Sequence, residues 1–277
     1  MFSALSKTIA AGIIAAALVS CGDSAADGAR ALYGQSEAAI AQGRYAEAIE
    51  FLDTLNSRYY EQTEVRREAL GLRARAMEGI AIDSIQVLDG ELAQWTMTVQ
   101  ELEPQFRHVP APAPGMDGYW LPTGVDEHVM GATGVQARVS DEGYLYIVAN
   151  VQGRKIGIRA LRLCDGADQC VSADISPARV ITVRGSESAS FSPEEIGEFG
   201  PWLASHPGAS KLVIVGSRGD ANVRLTPALR NEISRCAAYS TAILSQRSAT
   251  IRREKFERML ATARDQIANF AIPEQQQ

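Results

Sequence analysis

The sequence predicts an α+β fold: an N-terminal helical hairpin and long helix, a central, mostly antiparallel β domain with a short helix, and a long C-terminal helix that pairs back on the N-terminal one. Three observations carry this. Apolar side chains recur at helical spacing through residues 38–106. Short β-branched runs separated by turn residues fill 135–216. After Pro227 no proline interrupts a second helical stretch until Pro273. The chain has 277 residues, enough for one large domain or two small ones. Its formal net charge is −6, so bulk electrostatics argue against a nucleic-acid partner.

The chain opens with MFSALSK, whose one cation is Lys7, and continues with the uncharged run TIAAGIIAAALV at 8–19. A membrane-spanning helix needs about 20 apolar residues. This run is shorter and suits the apolar region of a secretory signal. It ends in Leu18-Val19-Ser20-Cys21, which resembles the lipobox of bacterial lipoproteins. The resemblance implies cleavage before Cys21, acylation of Cys21, and residence in the bacterial cell envelope, anchored to a membrane by lipid. Several acyl chains at ~0.8 kcal/mol per buried CH₂ make a stable anchor. Gly22, rather than Asp, follows the cysteine, which by the family's sorting rule favours the outer membrane over the inner. Whether the protein faces the periplasm or the surface stays open. On this reading 1–20 is a signal peptide and 21–28 a flexible tether.

A helical region follows over 29–109. In QGRYAEAIEFL, Gly43 suits a left-handed helix cap, and Ala48, Ile49, Leu52 and Leu55 then repeat at helical spacing. With Tyr45 and Ala48 in place, the stretch 38–55 resembles the helical hairpin of a tetratricopeptide repeat, which implies protein binding. One clear copy is visible, whereas repeat arrays usually need three or more. A single hairpin packed on the next helix is therefore expected. Beyond it Ile85, Leu88, Leu92, Trp95, Val99, Leu102 and Phe106 step by three and four. This stripe is either a core face toward another helix of the chain or an interaction seam between chains, which would make a homo-oligomer.

VPAPAPGMDGYW marks a Pro/Gly linker at 110–118, and the β-rich domain is assigned to 119–225. Strands are expected at 135–139, 144–151, 156–163, 170–175, 179–184 and 211–216. FSPEEIGEFGPWLASH opens with Ser192, Pro193 and Glu195, a capping box that starts a short helix. Cys164 and Cys170 bracket an Asp165-Gly166 turn between two strands. That placement suits a cross-turn disulfide in an oxidising compartment and is not the CxxC spacing of a redox site. Thr226 as N-cap and Pro227 at the first turn start the C-terminal helix, 226–271, expected to pack on 62–106. Residues 272–277 form a tail, and Cys236 reads as a buried thiol on the helix's apolar side.

The search for chemistry returns little. His108, His128 and His206 have no metal-ligand spacing, and no HExxH, GxSxG, SxxK, GxGxxG or GxxxxGK[ST] pattern occurs. No metal or cofactor is therefore expected. Arg218-Gly219-Asp220 reads as a hairpin turn. The function expected is a non-catalytic protein-interaction or scaffold role with an envelope protein partner. The alternative is a ligand- or carbohydrate-binding β domain using Tyr119, Trp120, Tyr144, Tyr146 and Trp202.

Overall fold

A computed structural model describes residues 25–271 except 112, 114, 116, 127–131, 167 and 168. The helices are α1 (Ala25–Ala41), α2 (Tyr45–Arg58), α3 (Thr63–Leu102), α4 (Pro193–Ile196), α5 (Phe199–Ser205) and α6 (Pro227–Ala271). The strands are β1 (Phe106–Val109), β2 (Tyr119–Pro122), β3 (Gly134–Ser140), β4 (Leu145–Val151), β5 (Ile158–Cys164), β6 (Cys170–Asp174), β7 (Ile181–Val183), β8 (Ser186–Phe191), β9 (Lys211–Gly216) and β10 (Ala221–Arg224). The fold is α+β, with every strand pair of its two sheets antiparallel.

The chain divides into two compact units. One runs to Asp83 and resumes at Phe256; the other is Ser84–Lys255. Sequence patterning put the boundary at the Pro/Gly linker, 110–118, whereas the observed division crosses the two long helices. The reason lies in burial. Val99 and Leu102 of α3, with Ile233, Cys236 and Tyr239 of α6, belong to the same core as the strands.

In the helical unit, small residues let α1, α2 and α3 approach closely. Ala29, Ala39, Ala48, Leu52, Leu55, Leu72 and Ala76 are buried there. Gly43 ends the α1 hairpin turn with φ +71°, a conformation that costs a side-chain-bearing residue energy. Gly79 has a different task. A Cβ there would lie 2.3 Å from the Tyr45 ring, so the tyrosine packs on bare helix backbone. Residues 25–28, assigned to a tether from composition, are the first turn of α1. Within this unit α3 meets α6 through Glu78 and Arg264, 3.0 Å apart.

In the second unit a six-stranded sheet, β1-β2-β3-β4-β8-β7, and a four-stranded sheet, β10-β9-β5-β6, enclose a core with α4, α5 and α6. The region 103–109, assigned to helix, is a 3₁₀ turn followed by β1. Phe106 fits the heptad by number, but Pro104 breaks the helix and turns Phe106 onto the Tyr239 ring at 4.3 Å. β1 pairs with β2, so the Pro/Gly stretch connects a hairpin. Two further strands went unpredicted. β8 reads SESASF, polar by composition, and β10 is four residues long. Both ends of the expected caps are present: Glu195 accepts the Ser192 N–H at 2.6 Å, and Thr226 accepts the Leu229 N–H at 3.1 Å. α3 and α6 run antiparallel here, with Gln246 on Thr96, Arg252 on Glu91 and Arg253 on Asp89.

Candidate functional site

The helical unit carries a groove that combines apolar surface with charge. Its core takes up one face of α1 and α3, through Ala29, Leu72 and their neighbours on α2. The flank left over forms a groove of about 370 Å³ with the end of α6. Tyr33, Leu72, Ile267 and Phe270 supply apolar surface. α6 passes beside Gly71, with the Phe270 Cβ 4.0 Å from where a Cβ on that glycine would stand. Phe270 remains 49% exposed, an aromatic side chain available to a partner. Arg67, Glu68 and Arg75 form the charged wall. Glu68 pairs with Arg30, whose guanidinium holds the carboxyl below the usual range. The arrangement offers apolar contact and charge.

The sequence-selected seam lies in the other unit. Leu88 is buried, and Ile85, Leu92, Trp95, Val99 and Leu102 are half-buried in the single chain. Val99 and Leu102 pack on the β core. Trp95 lines a shallow groove with Leu244, Ser245 and Arg252 of α6. Cys164 and Cys170 sit directly opposite in the β5–β6 register and are joined, S–S 2.07 Å. Cys21 and His128 lie outside the described residues.

The histidines have structural partners. His108 on β1 lies 2.7 Å from Asp141, which also accepts the Gly118 N–H at 3.1 Å. His206 stacks on Trp202 and closes α5 through the Trp202 carbonyl at 2.9 Å. The Arg218-Gly219-Asp220 turn is engaged by its own protein: Arg218 faces Glu187 at 3.5 Å, and Asp220 accepts the Gly216 N–H at 3.1 Å. The aromatics selected for sugar stacking are divided. Strand register puts Tyr119 and Tyr146 on one sheet face and Trp120 on the other, against Tyr239 and His108. Arg138 stands over Tyr119 at 4.1 Å.

Three buried polar groups were invisible to sequence reasoning. Glu232 of α6 accepts the Ala137 N–H at 2.8 Å, where β2 has ceased to pair with β3. Burial raises its carboxyl to about 7, against the pull of that N–H and of Arg138. Ser240 takes the Leu145 N–H at 3.0 Å and donates to the Gly143 carbonyl at 2.7 Å, tying α6 to the β3–β4 turn. Glu187 on β8 is 3% exposed and accepts the Gly157 N–H at 2.7 Å. No signal short of the fold distinguishes these from ordinary surface Glu and Ser. Desolvation also raises the thiol of buried Cys236 and lifts the Tyr239 hydroxyl to about 12.

Among the described residues no group of three His, Cys, Asp or Glu could hold a metal ion. None of the described helices is long and apolar enough to cross a membrane. Comparison with protein-family models, curated proteins and solved structures finds no match to this chain.

Proposed function

We propose that this protein is a lipid-anchored protein of the bacterial envelope that acts by binding a partner protein, without catalysis of its own. The observation that carries the reading is the groove of the helical unit, with Phe270 exposed beside Tyr33, Leu72 and Ile267 and a charged wall of Arg67, Glu68 and Arg75. Grooves between helices that pair apolar anchors with charge suit a helix or strand of another protein. The tetratricopeptide-like hairpin at 38–55 supports the same class of partner. The lipobox supports the location. α1 begins at Ala25, four residues after Cys21, so an acyl anchor would hold this helix within roughly 14 Å of its attachment point. The groove would then work close to the bilayer surface.

The test is crosslinking and capture from native membranes with wild type, Cys21→Ala, and Phe270→Ala combined with Tyr33→Ala. The reading expects one stoichiometric envelope protein with wild type, lost with the folded groove variant and reduced with the unanchored one. A folded, anchored protein that captures nothing, or a groove variant that captures as wild type does, would overturn it. Acylation itself is read by mass spectrometry of the N-terminal peptide, and unmodified Cys21 would remove the anchor.

A further inference from the structure

β7 ends the six-stranded sheet, and all three of its residues are exposed. An edge strand presents a row of backbone N–H and C=O groups that another strand can pair with. Natural edges are usually protected by a charge within the strand, a proline, a bulge or short length. β7 has only its shortness. Its sequence is Ile-Thr-Val, with Ile181 61% and Val183 42% exposed. The pairing of Ile181 with Ser188 and Val183 with Ser186 puts both side chains on one face, beside small serines that do not cover them. Thr182 pairs with Glu187 and points to the opposite face. There it lines a cleft of about 220 Å³ with Ile158, Arg159, Pro177, Val180 and Ser217.

Cations surround this edge. Arg184 follows β7 directly, exposed, with φ +48°, the only non-glycine of the described residues in left-handed backbone. Arg159 lies in the cleft wall and is also exposed. The loop carrying Arg154 and Lys155 joins the same end of the sheet, because Val151 pairs with Glu187. Glu187, the acid of the cleft, is already engaged by Gly157 and Arg218.

We propose that β7 is a docking edge for an extended acidic segment of a partner protein, added to the sheet as an antiparallel strand. The edge dictates backbone pairing, which calls for an extended segment. Ile181 and Val183 call for apolar side chains at alternate positions. The residue between them faces the cleft, where Thr182, Ser217 and the engaged Glu187 suit a hydroxyl. Arg184, next to Val183, and Arg159 in the cleft wall call for acidic residues beside this core. The inference takes its class of partner from the protein-binding reading above but uses a different surface.

The probe is the peptide acetyl-Glu-Asp-Val-Thr-Val-Asp-Glu-amide, added to the full chain. Binding is followed by calorimetry, and amide hydrogen exchange is followed over residues 176–188. The expected result is slowed exchange confined to β7 and β8, with affinity falling as salt rises. Ile181→Ser with Val183→Ser, both exposed positions, should weaken binding at least tenfold with the fold intact. Arg184→Gly, which suits the left-handed backbone, should weaken it several-fold at low salt and little at high salt. A version with its acids replaced by lysine, and one N-methylated at the central threonine, should not bind. Phe270→Ala should leave peptide affinity unchanged, so failure here is separable from failure of the groove. The proposal is overturned by absence of binding at millimolar peptide, by equal binding of the N-methylated version, or by protection elsewhere. Self-association abolished by Ile181→Ser with Val183→Ser would also overturn it, since a second copy would then occupy the edge.

Discussion

Glu232 makes the stability of the β-containing unit depend on pH in a direction opposite to that of most carboxylates. Its folded-state value of about 7 lies above the ordinary 4.5, with burial the leading cause. Between these two values the folded protein holds a proton that the unfolded chain has released, so stability falls as pH rises through that window. Below about 4.5 both states are protonated, and above about 7 both are ionised, so the loss is complete and then constant. A difference of this size corresponds to about 3 kcal/mol. Glu232→Gln removes the ionisation and keeps an oxygen for the Ala137 N–H. The variant should match wild type within about 1 kcal/mol at pH 4.5 and exceed it by about 2–3 kcal/mol at pH 8. For a unit of this size that is a rise in Tm of roughly 5–10 °C. Urea and thermal unfolding of both proteins at pH 4.5, 6, 7 and 8 measure it. A difference between the two that does not change with pH, or a variant less stable than wild type at pH 8, would refute the reasoning.

Gly79→Ala should destabilise the helical unit by about 1–3 kcal/mol, although alanine is the better helix former, because the new methyl meets the Tyr45 ring. Combining it with Tyr45→Ala should recover part of the helix-propensity gain, which unfolding followed by far-ultraviolet circular dichroism would reveal. Replacing Cys164 and Cys170 together by alanine should cost about 2 kcal/mol, the expectation for so short a loop. The effect should appear as faster amide exchange in β6, which forms the sheet edge, before any change in β9.

Legibility followed the strength of local signals. α6 was readable from Thr226-Pro227, since an N-cap oxygen and a proline without an N–H are what a helix start requires. β3, β4, β5 and β9 were readable from runs of Val, Ile and Leu. β8 was not, because only three of its six residues face inward, and they are Glu187, Ala189 and Phe191. β2 was hidden by Pro122 and by the linker before it. The groove was not legible: it is built from Tyr33 of α1, residues 67–75 of α3 and Phe270 of α6, the last more than two hundred positions from Tyr33.

By itself, then, the sequence determined the class of fold, the two long helices with their starts, and the cross-turn placement of Cys164 and Cys170. These rest on periodicity, caps and turn residues, which act within a few positions. Only the tertiary structure decided that the compact units cut across α3 and α6, that Glu232 is buried against Ala137, and that β7 is left as an open edge. Each of these depends on which surfaces meet. The same glutamate or isoleucine is ordinary or consequential according to whether distant chain removes it from water.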